Sequence, residues 1–226
     1  MADFLQDGLS NLNFSAEETA ALLPKMERYI KEIILFNSAY KLTNTSDFDE
    51  IAVNHILDSL SAVKQISLLA EHLEKKSDCI KIGDIGSGGG LPGIPLAAAL
   101  PSFNFTLVER MDKRCAFLEN AAAILGLHNV TVLKSEAEKV SPESFDIATF
   151  RAFRPLDKKM AKTLLNLTAK NGFLAAYKAK KESITEEMNA ISDIIPEYKA
   201  EPLFVPFLTD SQKNPRERNL VIIQKK

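Results

Sequence analysis

From residue 79 onward the chain alternates short apolar runs with stretches of helical periodicity. The strand-like runs lie at 79–85, 104–108, 129–133, 145–150 and 172–177. Near-continuous apolar strands spaced by helices are what a parallel sheet covered on both faces requires, so the pattern predicts a doubly wound, Rossmann-like α/β domain. Two final candidates, 197–204 and 219–224, have no helix between them and predict an antiparallel hairpin at the sheet edge. The best marked helix follows Glu109. Asp112 is its candidate cap, Phe117, Leu118, Ala121, Ala122 and Leu125 make its apolar face, and Gly126 ends it.

Ahead of this alternation the pattern is helical. Ser15 and Glu18 form a capping box, and Leu22, Met26, Ile30, Ile33 and Ile34 recur at helical spacing, predicting a helix with one buried face. A polar break over 37–49 separates it from a second helix with His55, Asp58 and Ser59. The three share one helical surface, whereas a hydrolase triad converges from separate elements onto a strained turn. The division that follows is a helical extension over 1–77 and a main domain over 78–226.

Composition narrows the class. At 226 residues, 46% hydrophobic and 26% charged, the chain suits one globular domain with an extension. No apolar run approaches a membrane span of roughly 18 residues, and the first residues lack the basic-then-apolar order of a signal peptide, so a cytoplasmic location is expected. Cys79, opening a buried strand, and Cys115, on a helix, are expected as reduced, packed thiols. His55, His72 and His128 are scattered without ligand spacing, so no metal site is expected.

The first strand ends in a carboxylate and breaks into Asp84-Ile-Gly-Ser-Gly-Gly-Gly-Leu-Pro-Gly93. Glycines at 86, 88 and 90 let backbone N–H groups turn to a ligand, and Pro92 suits the first turn of a helix. Two registers overlap here. Gly88 to Gly93 satisfies the dinucleotide pattern G-x-G-x-x-G, while Asp84 to Gly90 reads D-x-G-x-G-x-G. A pyrophosphate gains nothing from a carboxylate beside its loop, whereas a ligand with an ammonium and a sulfonium does, so the charge favours S-adenosylmethionine. Glu109, about twenty residues on at the end of the second strand, suits ribose hydroxyls in either case.

At these residues the chain resembles a known family. The glycine segment running on to Leu96, His55-Ile-Leu-Asp-Ser59, Lys113-Arg114 with Phe117-Leu118, and Arg151-Ala-Phe153 together look like the bacterial 16S ribosomal RNA guanine-N7 methyltransferases, RsmG or GidB. The resemblance implies a class I methyltransferase that uses S-adenosylmethionine to modify one guanine in the decoding-region loop. It implies that Gly86 and Leu91 bracket the loop around the cofactor, that Ala137 and Glu138 border the adenine, and that Arg151 faces the methyl-transfer centre as the catalytic candidate. With the loop reading, the expected cofactor set is Asp84, Gly86, Gly88, Gly90, Leu91, Glu109, Ala137, Glu138 and Arg151. The implied partner is 16S ribosomal RNA or the small subunit, met by a monomer. One departure is Lys41, where family members commonly carry asparagine in Asn-x-x-Tyr-Asn-Leu-Thr.

Net charge is -2, so RNA would have to meet local basic clusters. Lys113, Arg114, Arg151, Arg154, Lys158, Lys159, Lys178, Lys180, Lys181, Lys213, Arg216 and Arg218 fall after predicted strand ends, and Phe153 is a candidate for stacking on a flipped base. After the fourth strand there is neither an Asn/Asp-Pro-Pro-aromatic segment nor a Pro-Cys, which disfavours methylation of exocyclic amines and of pyrimidine carbon. Two alternatives remain: a methyltransferase with a protein or small-molecule acceptor, and an NAD(P)-dependent oxidoreductase using the overlapping loop pattern.

Overall fold

The computed structural model describes residues 2–151 and 156–226, with side chains from Phe4 onward. Phe153 and Arg154 lie outside the described residues. Helices α1 (Ala2–Asn11) and α2 (Ala16–Tyr40) open the chain, and the Ser15/Glu18 capping box starts α2. Then α3 (Phe48–Ile51) widens into a π-helical turn, Ala52–Leu57, and closes through α4 (Asp58–Leu60) before α5 (Val63–Glu71). The second predicted helix is therefore broken by a wide turn at its polar signature.

The remaining elements alternate. In order they are β1 (Lys81–Ile85), α6 (Gly93–Ala99), β2 (Asn104–Glu109), α7 (Asp112–Ile124), β3 (Val130–Lys134), β4 (Phe145–Arg151), α8 (Lys158–Leu167), β5 (Thr168–Lys178), α9 (Lys181–Ala190), β6 (Lys199–Pro202) and β7 (Asn219–Gln224). Among the described residues they form one sheet of order β3-β2-β1-β4-β5-β7-β6. The first five strands are parallel, and β7 runs antiparallel to both β5 and β6. The terminal hairpin is present, but its second strand lies inside the sheet and the shorter first strand makes the edge.

Two apolar layers cover the sheet. On one face Met26, Ile30, Ile56, Leu57, Phe117 and Leu118 pack with Ile82, Phe105 and Leu107, so the early helices and the sheet share a core. On the other, Met160, Leu164, Ile184 and Ile191 pack with Ile85, Val108, Phe150 and Val221. The stripe on α2 is core as predicted, except that Ile34 is only half-buried.

Several local expectations are corrected. Cys79 is exposed in a 3-10 turn, Ser77–Cys79, and β1 begins at Lys81, because Lys76 to Cys79 turns back on itself before the sheet is reached. Cys115 is buried, as expected. Asp112 is the first helical residue of α7, not its cap; Met111 holds that place, and the Asp112 carboxylate pairs with Lys134. Pro92 stands just before α6.

Lys41 ends α2 with φ 49 and ψ 61, the left-handed region. Asparagine tolerates this backbone better than lysine, so the departure from the family pattern falls on a conformational requirement. The neighbouring Asn37 side chain is fully engaged: Oδ1 accepts from the N–H groups of Leu42 and Thr43, and Nδ2 donates to Thr45 O and Ser46 Oγ. Lys41→Gly is expected to stabilise the chain by about 0.5–1 kcal/mol, the relief of left-handed strain less the added freedom of the unfolded chain. A urea midpoint raised at unchanged slope is the readout.

Candidate active site

The site is built at the carboxyl ends of the parallel strands, where a doubly wound sheet leaves its crevice. Asp84 is fully buried beneath the glycine loop. Its Oδ2 accepts from the Ser87 hydroxyl at 2.6 Å and the Gly93 N–H at 3.0 Å, while Oδ1 has no partner among the described residues. A Cβ at Gly93 would sit 2.6 Å from Asp84 Oδ2 and 2.3 Å from Leu107, so only glycine admits this approach. Burial pushes the Asp84 carboxyl up to about 6, against the opposing pull of the Ser87 and Gly93 hydrogen bonds and the Arg151 charge.

Gly90 has φ +83, and a Cβ there would meet Ile94, the Tyr29 hydroxyl and Leu118 within 2.9 Å. Its missing side chain serves packing beneath the loop. At the preceding residue, Tyr29 donates a hydrogen bond to Gly89 O, and Leu42 lies against Gly89. The helical extension thus holds the loop from one side.

A cavity of about 560 Å³ opens beside the loop, a volume suited to a nucleoside-sized cofactor. Gly86, Glu109, Arg114, Ala137, Glu138 and Met160 are among the residues lining it. The Glu109 carboxylate is buried and fixed by backbone: Oε2 accepts the Gly88 N–H at 2.9 Å, and Oε1 accepts the Arg110 and Met111 N–H groups. A carboxylate offers roughly four lone-pair sites, so one stays available to a ribose hydroxyl. Arg114 gives one N–H to Lys41 O, and its buried Nε has no partner among the described residues.

Of the residues singled out from sequence, Gly86, Glu109, Ala137 and Glu138 meet in this cavity. Asp84, Gly88, Gly90, Leu91 and Arg151 are not part of its lining; Asp84 and Leu91 are buried, Gly88 reaches it through Glu109, and Arg151 turns away to Asn54, His55 and Asp58. Val108, Arg110 and Met111, within two residues of Glu109, escaped sequence reading although their place near that acid was a usable signal. Met160 arrives from α8 with no local signal at all. Arg114 carried a basic-cluster reading, and the fold turns it to the cavity.

Arg151, at the end of β4, points to the helical extension. NH1 donates to Asp58 Oδ2 at 2.8 Å and to Asn54 O at 3.0 Å, and NH2 lies 2.9 Å from His55 Nδ1. Asp58 Oδ1 accepts from Arg218 Nε at 2.9 Å. Burial and the Arg151 charge push His55 down to about 4, so its ring is neutral at pH 7 and Nδ1 acts as an acceptor. Among the other basic candidates, Lys158 pairs with Asp193 and Lys178 with Glu187, while Lys113, Lys159, Lys180, Lys181, Lys213 and Arg216 are exposed.

A larger depression of about 790 Å³ lies at the other end of β5 and β7, against Leu68, Phe173, Ile194, Tyr198 and Ile222. It is mainly apolar, and the lysines there are tied up: Lys199 with Glu201, Lys225 with Glu143 and Lys226 with Glu197. The chemistry converges at the smaller cavity. No helix among the described residues is long and apolar enough to cross a membrane, and none of their His, Cys, Asp and Glu side chains group in threes that could hold a metal.

The His55 environment gives a pH dependence. The unfolded chain takes up this proton near pH 6.5 and the folded chain only near 4, so stability falls as pH drops through that window. Asp84, raised from 3.8 to about 6, acts in the opposite sense over nearly the same range. His55→Gln removes one arm of this balance. Its stability deficit against the unaltered chain is expected to shrink by on the order of 1–2 kcal/mol between pH 7 and pH 5 in urea unfolding.

Comparison with known proteins agrees with this architecture. The chain is 40% identical to the ribosomal RNA small subunit methyltransferase G of Treponema denticola, over 98% of this chain and 93% of that one. It is 32% identical to the protein of the same name from Neisseria meningitidis serogroup B, over 98% and 97%. The tRNA (m1A58) methyltransferase TrmI of Aquifex aeolicus shares the fold at 12% identity, with a TM-score of 0.54 over 73% of this chain and 69% of that one. A SAM-dependent methyltransferase from Aquifex aeolicus does so at 18% identity and TM-score 0.51, over 74% and 93%. The model of the GidB family, rRNA small subunit methyltransferase G, matches residues 22–221, a span that takes in the helical extension from mid-α2, the glycine loop, the cavity and the Arg151 cluster, and the chain belongs to that family.

Proposed function

We propose that this chain transfers the methyl group of S-adenosylmethionine to N7 of a single guanine in the decoding-region loop of 16S ribosomal RNA. The observation that carries the reading is the family match spanning both the cofactor cavity and the Arg151 cluster. The cofactor supplies an electrophilic methyl on a sulfonium.

The residues present suit that group. Glu109, with a lone pair to spare, would take a ribose hydroxyl, Ala137 and Glu138 in the same cavity wall would border the base, and Gly86 would leave the loop open beside the methionine end. Asp84, with one unpartnered buried oxygen under the loop, biases the crevice toward a cation. On the acceptor side, guanine N7 attacks with a lone pair that carries no proton. The C–N bond forms as the C–S bond breaks, sulfur keeps the electron pair, and the guanine ring gains the positive charge. No general base is required, so the chain's work is alignment and exclusion of water. Arg151 stands on that side and orients the acceptor. One chain carries the whole site, and the reaction belongs to the cytoplasm, where the small subunit is found.

The direct test is transfer of labelled methyl from S-adenosylmethionine to small subunits from cells lacking the gene, mapped by cleavage specific for N7-methylguanine. One labelled guanine in the decoding-region loop is expected; none, with cofactor still bound, overturns the acceptor assignment. Arg151→Ala is expected to slow transfer about a hundredfold while cofactor affinity changes less than about threefold. Gly88→Val, placed where φ is +59, is expected to weaken cofactor binding about tenfold or more in titration calorimetry with the chain still folded by circular dichroism.

A further inference from the structure

We infer that Asp58 is a positioning residue for methyl transfer: by binding Arg151 and Arg218 at once, it fixes the Arg151 guanidinium against the acceptor and offsets its charge. The inference rests on the acceptor-side reading of Arg151 given above and assigns a role to the His55-Ile-Leu-Asp-Ser59 signature, which the cofactor cavity leaves unexplained.

Four observations carry it. Both carboxylate oxygens of Asp58 are used, each by a different arginine, and the side chain is 4% exposed. Arg151 and Arg218 are themselves 13% and 16% exposed, so three charged groups are withdrawn from water together. Burying ion pairs of this kind adds little to stability, since apolar residues of similar volume do as well, and their use points to a need for fixed geometry. The Arg151 guanidinium is also held by Asn54 O and by His55 Nδ1, so three of its five N–H donors are spent on orientation. These acceptors come from one π-helical turn and the residue after it, a wide turn of the kind frequently found at functional sites.

The charge balance gives the second half of the role. With His55 neutral, the cluster holds two positive charges and one negative. Alkylation of N7 puts positive charge on the guanine ring, and a bare guanidinium beside it would oppose that change. Asp58 halves the local charge, which favours the transition state over the ground state.

A double-mutant cycle tests this, measuring single-turnover methyl transfer to undermethylated small subunits, cofactor affinity and urea stability. Asp58→Asn, which keeps the shape, is expected to slow transfer at saturating cofactor and subunit about thirtyfold or more, with cofactor affinity and apparent subunit affinity within about threefold. On an Arg151→Ala background the same change is expected to cost less than about threefold, because its effect passes through Arg151. Tyr177→Phe is the control for a merely structural junction. It removes the 2.7 Å bond from the Tyr177 hydroxyl to Ser59 O, beside Asp58, without touching either arginine, and should transfer methyl near the unaltered rate. Equal losses from Asp58→Asn on both backgrounds, or transfer rates that follow urea stability across Asp58→Asn and Tyr177→Phe alike, would overturn the assignment. An unaltered chain that methylates no subunit overturns the acceptor reading instead, and this proposal falls with it.

Discussion

The Asp84 carboxylate, sealed under the first loop and bonded to the Ser87 hydroxyl and the Gly93 N–H, turns the chain leaving β1 back onto its own helix. It leaves no room for a side chain at Gly93, and Ile94, Tyr29 and Leu118 leave none at Gly90. That compactness brings the Gly88 N–H within reach of Glu109 on the next strand, and Glu109 is in turn set by two N–H groups of its own loop. One buried carboxylate therefore shapes the loop, the loop meets a second carboxylate, and the cavity forms between them. Because Asp84 spends its charge inside the protein, its influence on a cationic ligand is through the field it leaves, not through direct exposure.

The helical extension is the other partner in this construction. Tyr29 reaches the loop backbone at Gly89, Leu42 covers the same glycine, and the Lys41 carbonyl accepts from Arg114 in the cavity wall. Further along, the wide turn over Ala52–Leu57 delivers Asn54, His55 and Asp58 to Arg151. The first seventy or so residues thus buttress both the glycine loop and the Arg151 guanidinium, and their core is continuous with that of the sheet.

What the sequence made legible follows from the range of the forces involved. The alternation of strands and helices, the capping box and the glycine register are local, and each is present near its predicted place, the largest offset among the strands being β5, which begins four residues earlier than its apolar run. Predictions failed where a neighbour far along the chain decides the outcome. Cys79 is the local exception: it has the look of a strand residue, yet the 3-10 turn just before β1 leaves it exposed. Met160 carries no signal for a cofactor wall, because only the packing of α8 brings it there. Arg218 and Asp58 are 160 residues apart, and nothing in either local pattern links them. Charge runs misled for a related reason: Lys158, Lys178, Arg151 and Arg218 each find an acid that the fold, not the sequence spacing, supplies.

The strand order also bears on how the molecule is made. In synthesis β6 precedes β7, yet β7 lies between β5 and β6, so β6 has no place in the sheet until the later strand has arrived. Arg218, immediately before β7, comes with it. Loop, cavity and the Asp58–Arg151 contact can all assemble on the growing chain while the sheet is still short of its last two strands. The second arginine completes the cluster only afterwards. Closing the sheet and adding the second arginine to Asp58 are therefore a single event, so a chain halted before β7 would carry the loop and cavity with Asp58 bound to Arg151 alone.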